Sequence, residues 1–397
     1  MYEKITPSLN ISRRLLDVVI SDNFAGHDPF DSLNSTLLQA TPFYRNEWVR
    51  LAWIQFGKRS PINFRPLLRV PKKRNPKGIG LFILGLLQDY RRTGSDEYLE
   101  QAQALGQWLL GERSDPQQWR HSCWGYHFDW QARAFYVPAG KPNIITTCYV
   151  ARALHELGTL TADQALIDIA LDAARFISQT LYTETEERSF YAYIPGEQAF
   201  VHNASLWGAA WCAFAGKQLG DEKLVAQALQ VARQSVQEQA ADGSWVYGAR
   251  HHHQFIDGFH TGYNLEALCL LRDATAITEF DQAIREGYTY YVKTFFTADG
   301  TARYYNNNVY PIDMHSFAQA IFTLLKVGNT AQDLQLCDKV VKRAIDLLYL
   351  PENGQFVYQK NRWLTNRINY TRWTQAWAYC SLAFYNRYRA EINHAKN

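Results

Sequence analysis

The amino-acid sequence predicts an all-α protein whose helices pair into six hairpins and close into an (α/α)6 toroid, a six-hairpin barrel with short β-hairpin-like loops. Apolar residues recur every three or four positions through most of the chain, which indicates helices. Short aromatic elements return at intervals of about 55 residues in the second half, which indicates stacked or circular repeats. No linker or change of composition divides the chain, so we expect one domain over residues 1–397.

The predicted repeat unit is a pair of helices. The first helix opens with polar or aromatic residues, and the second is more uniformly amphipathic. The openings fall at residues 146–149, 202–205, 257–260, 313–316 and 369–373, and the second helices at residues 162–181, 222–239, 278–297 and 331–350. Two further pairs are expected before residue 113, which brings the number of hairpins close to six.

A short element lies between the helices: a small turn residue, an aromatic residue and then a tyrosine two positions later. Copies occur at residues 123–126, 189–193, 243–247 and 354–358, with a degenerate copy at 299–304. These copies predict the β-hairpin-like loops. In a toroid the inner helices begin at one mouth, so distant helix starts meet there and their dipoles favour anionic groups.

Composition narrows the class of partner. The formal charge of +3 is too small to suggest nucleic acid or an anionic membrane. Aromatic residues make up 14% of the chain, and many stand beside polar residues. Trp and Tyr offer an apolar face and a polar edge to a sugar ring, so we expect an oligo- or polysaccharide as partner. Acidic polysaccharides are among the candidates. Large helical cores also need aromatic residues, which is the competing explanation.

The cysteines and the N-terminus bear on location. The six cysteines are scattered without a Cys-x-x-Cys pair, which is typical of reduced core residues in a cytoplasmic protein. Residues 1–4 carry charge where a signal peptide needs apolar residues, and no apolar run is long enough for a membrane span. Glycine spacing matches no nucleotide-binding loop, and residues 251–253 match no zinc motif, so no cofactor or metal is expected. The oligomeric state stays open.

Paired carboxylates support a first hypothesis, glycoside hydrolysis. Asp129, Asp257 and Asp313 recur at positions that we expect to lie at the mouth. A glycosidase needs one protonated and one ionised carboxyl group, so we assign Asp129 as general acid and Asp257 or Asp313 as base. The alternative is that Asp257 and Asp313 only cap the helices that follow them.

A second hypothesis is β-elimination from a uronic acid. His260 and Tyr263 lie three residues apart and share a helix face, so they can exchange protons with one sugar ring. Asn203 and Arg372, from other repeats, would hold the carboxylate of the uronic acid. A hydrogen-bonded core pair is the competing explanation for His260 and Tyr263.

Further candidates for substrate binding are aromatic, amide or cationic. Trp124, Trp130, Trp373 and Trp377 are candidate platforms for sugar rings. Four other candidates are Tyr126, His315, Gln375 and Arg65. Gln375 lies one turn from Arg372, and Arg65 belongs to a basic, Pro-rich stretch that could attract an acidic glycan or remain solvated surface.

Five phrases carry a resemblance to a known family: residues 31–35, 63–66, 124–130, 257–263 and 372–377. Together they resemble a protein family encoded in bacterial capsule and exopolysaccharide gene clusters, and the similarity spans nearly the whole chain. That family is similar to the six-hairpin glycosidase-like superfamily, which contains unsaturated glucuronyl hydrolases and polysaccharide lyases. The resemblance implies polysaccharide biosynthesis or processing.

Four functions therefore stay open. Hydrolysis stands slightly ahead of β-elimination, and sugar epimerisation comes third because the chain lacks a convincing copy of the C-terminal His motif of the related N-acylglucosamine 2-epimerases. A non-catalytic role, in binding a glycan or a glycosyltransferase, is the fourth. Separation of the three aspartates onto different faces would weaken hydrolysis.

Overall fold

The computed structural model describes residues 6–131 and 136–395, and within them the chain is mainly helical. The helices are α1 (Pro7–Ser21), α2 (Thr36–Gln39), α3 (Glu47–Arg59), α4 (Pro76–Thr93), α5 (Asp96–Gly111), α6 (Pro116–Trp119), α7 (Ile144–Thr161), α8 (Gln164–Phe176), α9 (His202–Leu219), α10 (Glu222–Gln237), α11 (Gly258–Thr275), α12 (Asp281–Thr294), α13 (Met314–Thr323), α14 (Ala331–Leu348) and α15 (Ala376–Ala395). Residues 1–4, on which the signal-peptide expectation depends, lie outside the described residues.

The strands are two or three residues long and join into small antiparallel ladders. They are β1 (Trp130–Gln131), β2 (Tyr136–Val137), β3 (Tyr182–Glu184), β4 (Ser189–Tyr191), β5 (Ile312–Asp313), β6 (Tyr349–Leu350), β7 (Gln355–Phe356), β8 (Gln359–Lys360) and β9 (Thr365–Asn366). β1 pairs with β2, β3 with β4 and β6 with β7, while β8 lies between β5 and β9. The predicted aromatic elements at 189–193 and 354–358 thus contain strands β4 and β7.

The long helices form two concentric rings. In the described part of the chain the inner ring is α4, α7, α9, α11, α13 and α15, each packed on the next, and α15 packs on α4 to close it. The outer helices α5, α8, α10, α12 and α14 each pack on the inner helix that precedes them, and α1 packs on α15. This arrangement confirms the predicted (α/α)6 toroid.

The start of the chain differs from the prediction of two helix pairs before residue 113. Only α4 and α5 form such a pair in the described residues, because α1 packs on α15 and supplies the outer helix of the last hairpin. The helix α3 stays outside the ring. Of its residues only Ile54 is buried, so α3 lacks the apolar face that an outer helix needs.

Local sequence explains where the helices begin and end. The inner helix α9 is buried along most of its length, whereas α10 buries one face, as expected for inner and outer positions. Many helices begin with a side-chain cap: Asn143 caps α7 and Asp257 caps α11. At the C-terminus of α9, Gly220 adopts a left-handed conformation, which glycine tolerates best.

The core runs through the whole ring. All six cysteines are buried and none is in a disulfide bond.

Along the described ranges no helix combines the length and the apolar character needed to cross a bilayer.

A buried ion pair, Arg372–Asp28, and a hydrogen bond from Arg65 join the N-terminal segment to the rest of the ring. Arg65 Nε donates to Asp31 Oδ1 at 2.6 Å, and Arg65 Nη1 donates to the hydroxyl of Tyr370 at 3.0 Å. Arg372 donates to both carboxylate oxygens of Asp28, at 2.5 and 2.8 Å. These contacts tie the segment before α4 to the segment that leads into α15.

We predict that Arg65→Met lowers the free energy of unfolding by about 3–5 kcal/mol, because it leaves the buried carboxylate of Asp31 without its cation. Urea unfolding followed by circular dichroism measures the change. The control is Lys342→Met, whose ion pair with Asp346 is exposed and should contribute below about 1 kcal/mol. Equal effects of the two substitutions would contradict this role for Arg65.

Candidate functional site

A cavity of about 550 Å³ opens at the end of the barrel where the inner helices begin. Each inner helix, or the turn leading into it, contributes a residue to the lining. These residues are Lys77 from α4, Ile145 from α7, Asn203 from α9, His260 and Tyr263 from α11, His315 from α13, and Arg372 and Trp373 from the turn before α15. The volume lies in the range of about 300–1,000 Å³ that is typical of small-molecule sites.

Aromatic side chains from the connecting loops form the cavity wall. Tyr126 and Phe128 stack with ring centroids 5.0 Å apart, and the hydroxyls of Tyr126 and Tyr193 are 2.9 Å apart. Further rings come from Trp130, Tyr247, Phe255, Tyr304 and Tyr305. Such a wall provides apolar faces next to hydroxyl groups, which suits a ring with both apolar and hydroxylated surfaces.

An Asp–His pair lies at the start of α11. Asp257 Oδ1 caps the helix by accepting from the backbone N–H of His260 at 2.8 Å, and Oδ2 lies 2.8 Å from His260 Nδ1. A carboxylate only accepts hydrogen bonds, so Nδ1 carries the proton and Nε2 is left as the basic nitrogen. The imidazole lines the cavity and is 20% exposed, so Nε2 is available as a general base.

A second hydrogen-bonded pair lies beside the first. The hydroxyl of Tyr263 is 2.6 Å from His315 Nε2. Burial raises the pKa of Tyr263 well above its usual value, and burial together with nearby Lys77 lowers the pKa of His315 well below its usual value. Both groups are therefore neutral near pH 7, with Tyr263 as the donor. His315 Nδ1 is buried and has no partner among the described residues.

Lys77 lies at the cavity floor and has no counter-ion among the described residues. Lys77 is 4% exposed, and its Nζ lies over the rings of Tyr149, Trp377 and Tyr263, at 4.7, 5.2 and 5.6 Å from the centroids. Among the residues that the structure describes, no carboxylate forms an ion pair with it. Burial, with Arg372 nearby, lowers the pKa of Lys77 well below its usual value. An anionic ligand would reverse part of that shift.

Three other charged residues of the wall, Arg372, Arg250 and Glu197, are paired within the protein. Arg372 is held by Asp28, and its guanidinium lies 4.9 Å from the ring centroid of Tyr126. Glu197 Oε1 accepts from Arg250 at 2.6 Å, while its buried Oε2 has no partner within the described chain. Asn203 Oδ1 is likewise buried without a described partner. These two oxygens are free to accept from hydroxyl groups of a ligand.

The structure brings most of the sequence-predicted site residues together. Those lining the cavity are Asp257, His260, Tyr263, Tyr126, Trp130, Asn203, His315, Arg372 and Trp373. They come from five separate stretches of the chain. The remaining candidates are not among the described lining residues: Asp129, Asp313, Trp124, Gln375, Trp377 and Arg65.

Asp129 and Asp313 occupy structural positions. Asp129 accepts from the hydroxyl of Tyr44 and from the backbone N–H of Ala139. Asp313 caps α13 and accepts from Gln359 Nε2 at 2.6 Å and from Trp373 Nε1 at 3.3 Å. Of the aspartates proposed as the acid and base of a glycosidase, only Asp257 is among the described residues that line the cavity.

The other four candidates also bind protein atoms. The indole of Trp124 donates to the backbone oxygen of Leu109 at 2.8 Å, and Gln375 exchanges two hydrogen bonds with the backbone of Phe356. Arg65 is held by Asp31. Trp377 lies beneath the floor, stacked on His315 with centroids 4.4 Å apart, so it supports the site and does not face a sugar directly.

Lys77 and Glu197 line the cavity but were not predicted from the sequence. Lys77 belongs to a basic stretch for which attraction of an acidic glycan and solvated surface both stayed open. A usable signal was present, because Asn75 caps α4 and Pro76 occupies its first turn, which marks an inner-helix start like the others. Glu197 lies in a loop with no local signal. Within the described ranges, no group of His, Cys, Asp and Glu side chains is arranged to hold a metal ion.

The architecture is similar to that of several solved enzyme structures. An unsaturated glucuronyl hydrolase specific for heparin aligns over 98% of this chain and 96% of its own, with 11% identity and a TM-score of 0.64. A sugar epimerase from a ruminal bacterium aligns over 97% and 99%, with 11% identity and a TM-score of 0.63. A polysaccharide lyase aligns over 98% and 99%, with 10% identity and a TM-score of 0.58.

At these identities the similarity shows the fold alone. No family model matches the sequence, and no curated protein matches it significantly.

Asp313 provides a pH-dependent prediction. Burial raises its pKa from 3.8 to about 6, so between those values the folded protein keeps a proton that the unfolded chain has lost. The free energy of unfolding of the wild type therefore falls as the pH rises through this window. Asp313→Asn keeps a capping side chain but cannot ionise. The free energy of unfolding of the variant, relative to that of the wild type, should therefore rise by up to about 3 kcal/mol between pH 4 and pH 7.

Urea unfolding at a series of pH values measures this gain. A difference between wild type and variant that stays constant with pH would show that Asp313 does not titrate in this window. Lys342→Met, on the outer helix α14, serves as a control whose stability should follow that of the wild type throughout.

Proposed function

We propose that this chain is a carbohydrate-active enzyme that carries out acid–base chemistry on an acidic sugar, and that the reaction is β-elimination from a uronic acid residue. One observation carries the proposal. A base oriented by a carboxylate, His260, and a protonated acid, Tyr263, line one cavity with Lys77, whose amine forms no ion pair with a described carboxylate.

The chemistry follows from the position of these groups. The carboxylate of a uronate, placed near Lys77 and the amide of Asn203, would lose part of its negative charge, which makes the C5 proton more acidic. His260 Nε2 takes that proton. The electron pair of the C5–H bond forms the C4–C5 double bond, the bond from C4 to the glycosidic oxygen breaks, and Tyr263 donates its proton to the leaving oxygen.

The role given to Arg372 differs from the sequence-based hypothesis. Its Nε and Nη2 already bind the carboxylate of Asp28, so its charge is largely satisfied within the protein. Lys77 is the better candidate to bind a substrate carboxylate, because the described structure gives it aromatic neighbours and no counter-ion. Arg372 then contributes by fixing the Tyr126 wall.

Hydrolysis is the second candidate function. It is supported by the presence of two carboxylates, Asp257 and Glu197, on the same cavity. Both are engaged, Asp257 with His260 and Glu197 with Arg250, which favours His260 as the group that moves a proton. The fold similarity to a glucuronyl hydrolase, to an epimerase and to a lyase suits a sugar substrate without selecting one reaction.

We also propose the setting of this reaction. The resemblance to proteins of capsule and exopolysaccharide clusters supports a role in making or trimming such polymers. Six buried cysteines without disulfide bonds suit a reducing compartment, so we place the protein in the cytoplasm.

The direct experiment is incubation of the purified protein with panels of acidic and neutral bacterial polysaccharides, following reducing ends and the ultraviolet absorbance of unsaturated uronates together. We expect both signals to rise together on acidic polymers only. Release of reducing ends without a rise in absorbance would indicate hydrolysis instead of β-elimination. The absence of both signals on every polymer would favour the non-catalytic binding role.

Substitutions separate the two catalytic assignments. His260→Ala and Tyr263→Phe should each lower kcat by about 10²–10⁴-fold with little change in melting temperature, since each removes a proton-transfer group from the cavity. Asp129→Asn should retain near wild-type kcat, because the described wall leaves Asp129 outside the cavity. A severe loss of kcat in Asp129→Asn, without loss of folding, would instead support the paired-aspartate hydrolase.

A further inference from the structure

A second depression opens directly beside the cavity. It has a volume of about 280 Å³ and shares four lining residues with the cavity: Lys58, Tyr304, Tyr305 and Trp373. The two spaces are therefore adjacent and share part of their walls. We refer to this second depression as the side groove.

The side groove lies between two parts of the chain outside the inner ring. One side is the end of α3 and the residues after it, with Lys58, Arg59 and Pro61. The other side is the β8–β9 hairpin, held against the first by a hydrogen bond from Asn366 Nδ2 to the backbone oxygen of Ser60 at 3.3 Å. The groove is thus assembled by tertiary contacts between segments some 300 residues apart.

Its chemistry matches that of the cavity. Tyr304, Tyr305 and Trp373 provide ring faces, and Asn361 provides an exposed amide. These groups suit the faces and hydroxyls of a sugar ring. On the same hairpin, just beyond the groove, Trp363 is 86% exposed.

The groove contains two basic side chains, Lys58 and Arg59. Lys58 is half-buried with its Nζ 4.8 Å from the ring centroid of Phe30, and Arg59 beside it is exposed. In the part of the chain that the structure describes, neither forms an ion pair with a carboxylate. Two adjacent positive charges at the junction leave a site for a negative group supplied by a ligand.

We propose that the side groove is a second sugar-binding subsite, which takes the neighbouring residue of an acidic oligosaccharide and places its acidic group at Lys58 and Arg59. The substrate then carries acidic groups on at least two of its sugars, one at Lys77 and one at Lys58. This inference rests on the proposed function, because it assumes that the cavity holds a uronate.

Isothermal titration tests the subsite. The probes are the monosaccharides and trisaccharides of galacturonic and glucuronic acid, with maltotriose as a neutral trisaccharide. The proteins are the wild type, Lys58→Met, Lys77→Met and Lys342→Met, in which the last removes an exposed lysine far from the mouth on α14. We expect the wild type to bind an acidic trisaccharide at least about tenfold more tightly than its monosaccharide, and maltotriose weakly.

The substitutions should act differently. Lys58→Met should remove most of the trisaccharide gain and weaken monosaccharide binding much less, because Lys58 lies where the groove adjoins the cavity. Lys77→Met should weaken the binding of both sugars. Lys342→Met should match the wild type. Wild-type trisaccharide affinity in Lys58→Met, or an equal gain with maltotriose, would overturn the subsite and leave the proposed function standing. Failure of the wild type to bind any acidic sugar would overturn both.

Discussion

The bidentate ion pair between Asp28 and Arg372 connects residues 344 positions apart, and the geometry of the mouth depends on it. The ring closes where α15 packs on α4, and the pair fixes the segment before α15 against the N-terminal segment, where Arg65 and Asp31 form the neighbouring buried pair. Removing either partner of such a pair would leave a buried charge, which is strongly unfavourable. Closure in turn gathers the first turns of all the inner helices around one cavity.

Ion pairs within the protein also set the charge balance at that cavity. Arg372, Arg250 and Asp257 each have a partner within the protein, so their charges are largely compensated. Lys77 lies over aromatic rings and forms no ion pair with a described carboxylate. Helix N-termini add partial positive charge at the same place. Both features support the anionic ligand that we propose, although the net charge of the chain is only +3.

The sequence was sufficient to predict the toroid, because periodicity and capping residues are local signals that mark helix starts. It was not sufficient to tell which of the three aspartates lines the cavity. Asp257 and Asp313 both cap inner helices and both precede a histidine, yet Gln359 and Trp373, distant in the chain, cover only Asp313. The role of α1 as the last outer helix was missed for the same reason, since it depends on contact with the far end of the chain.

The most direct test of proton abstraction by His260 follows the C5 hydrogen of a uronate substrate by NMR in heavy water. Our account requires that this hydrogen is lost as the glycosidic bond breaks, with an unsaturated sugar as product. Exchange of the C5 hydrogen without bond cleavage would instead indicate epimerisation. Cleavage of the bond with the C5 hydrogen retained in every product would contradict the account and assign the cavity to hydrolysis.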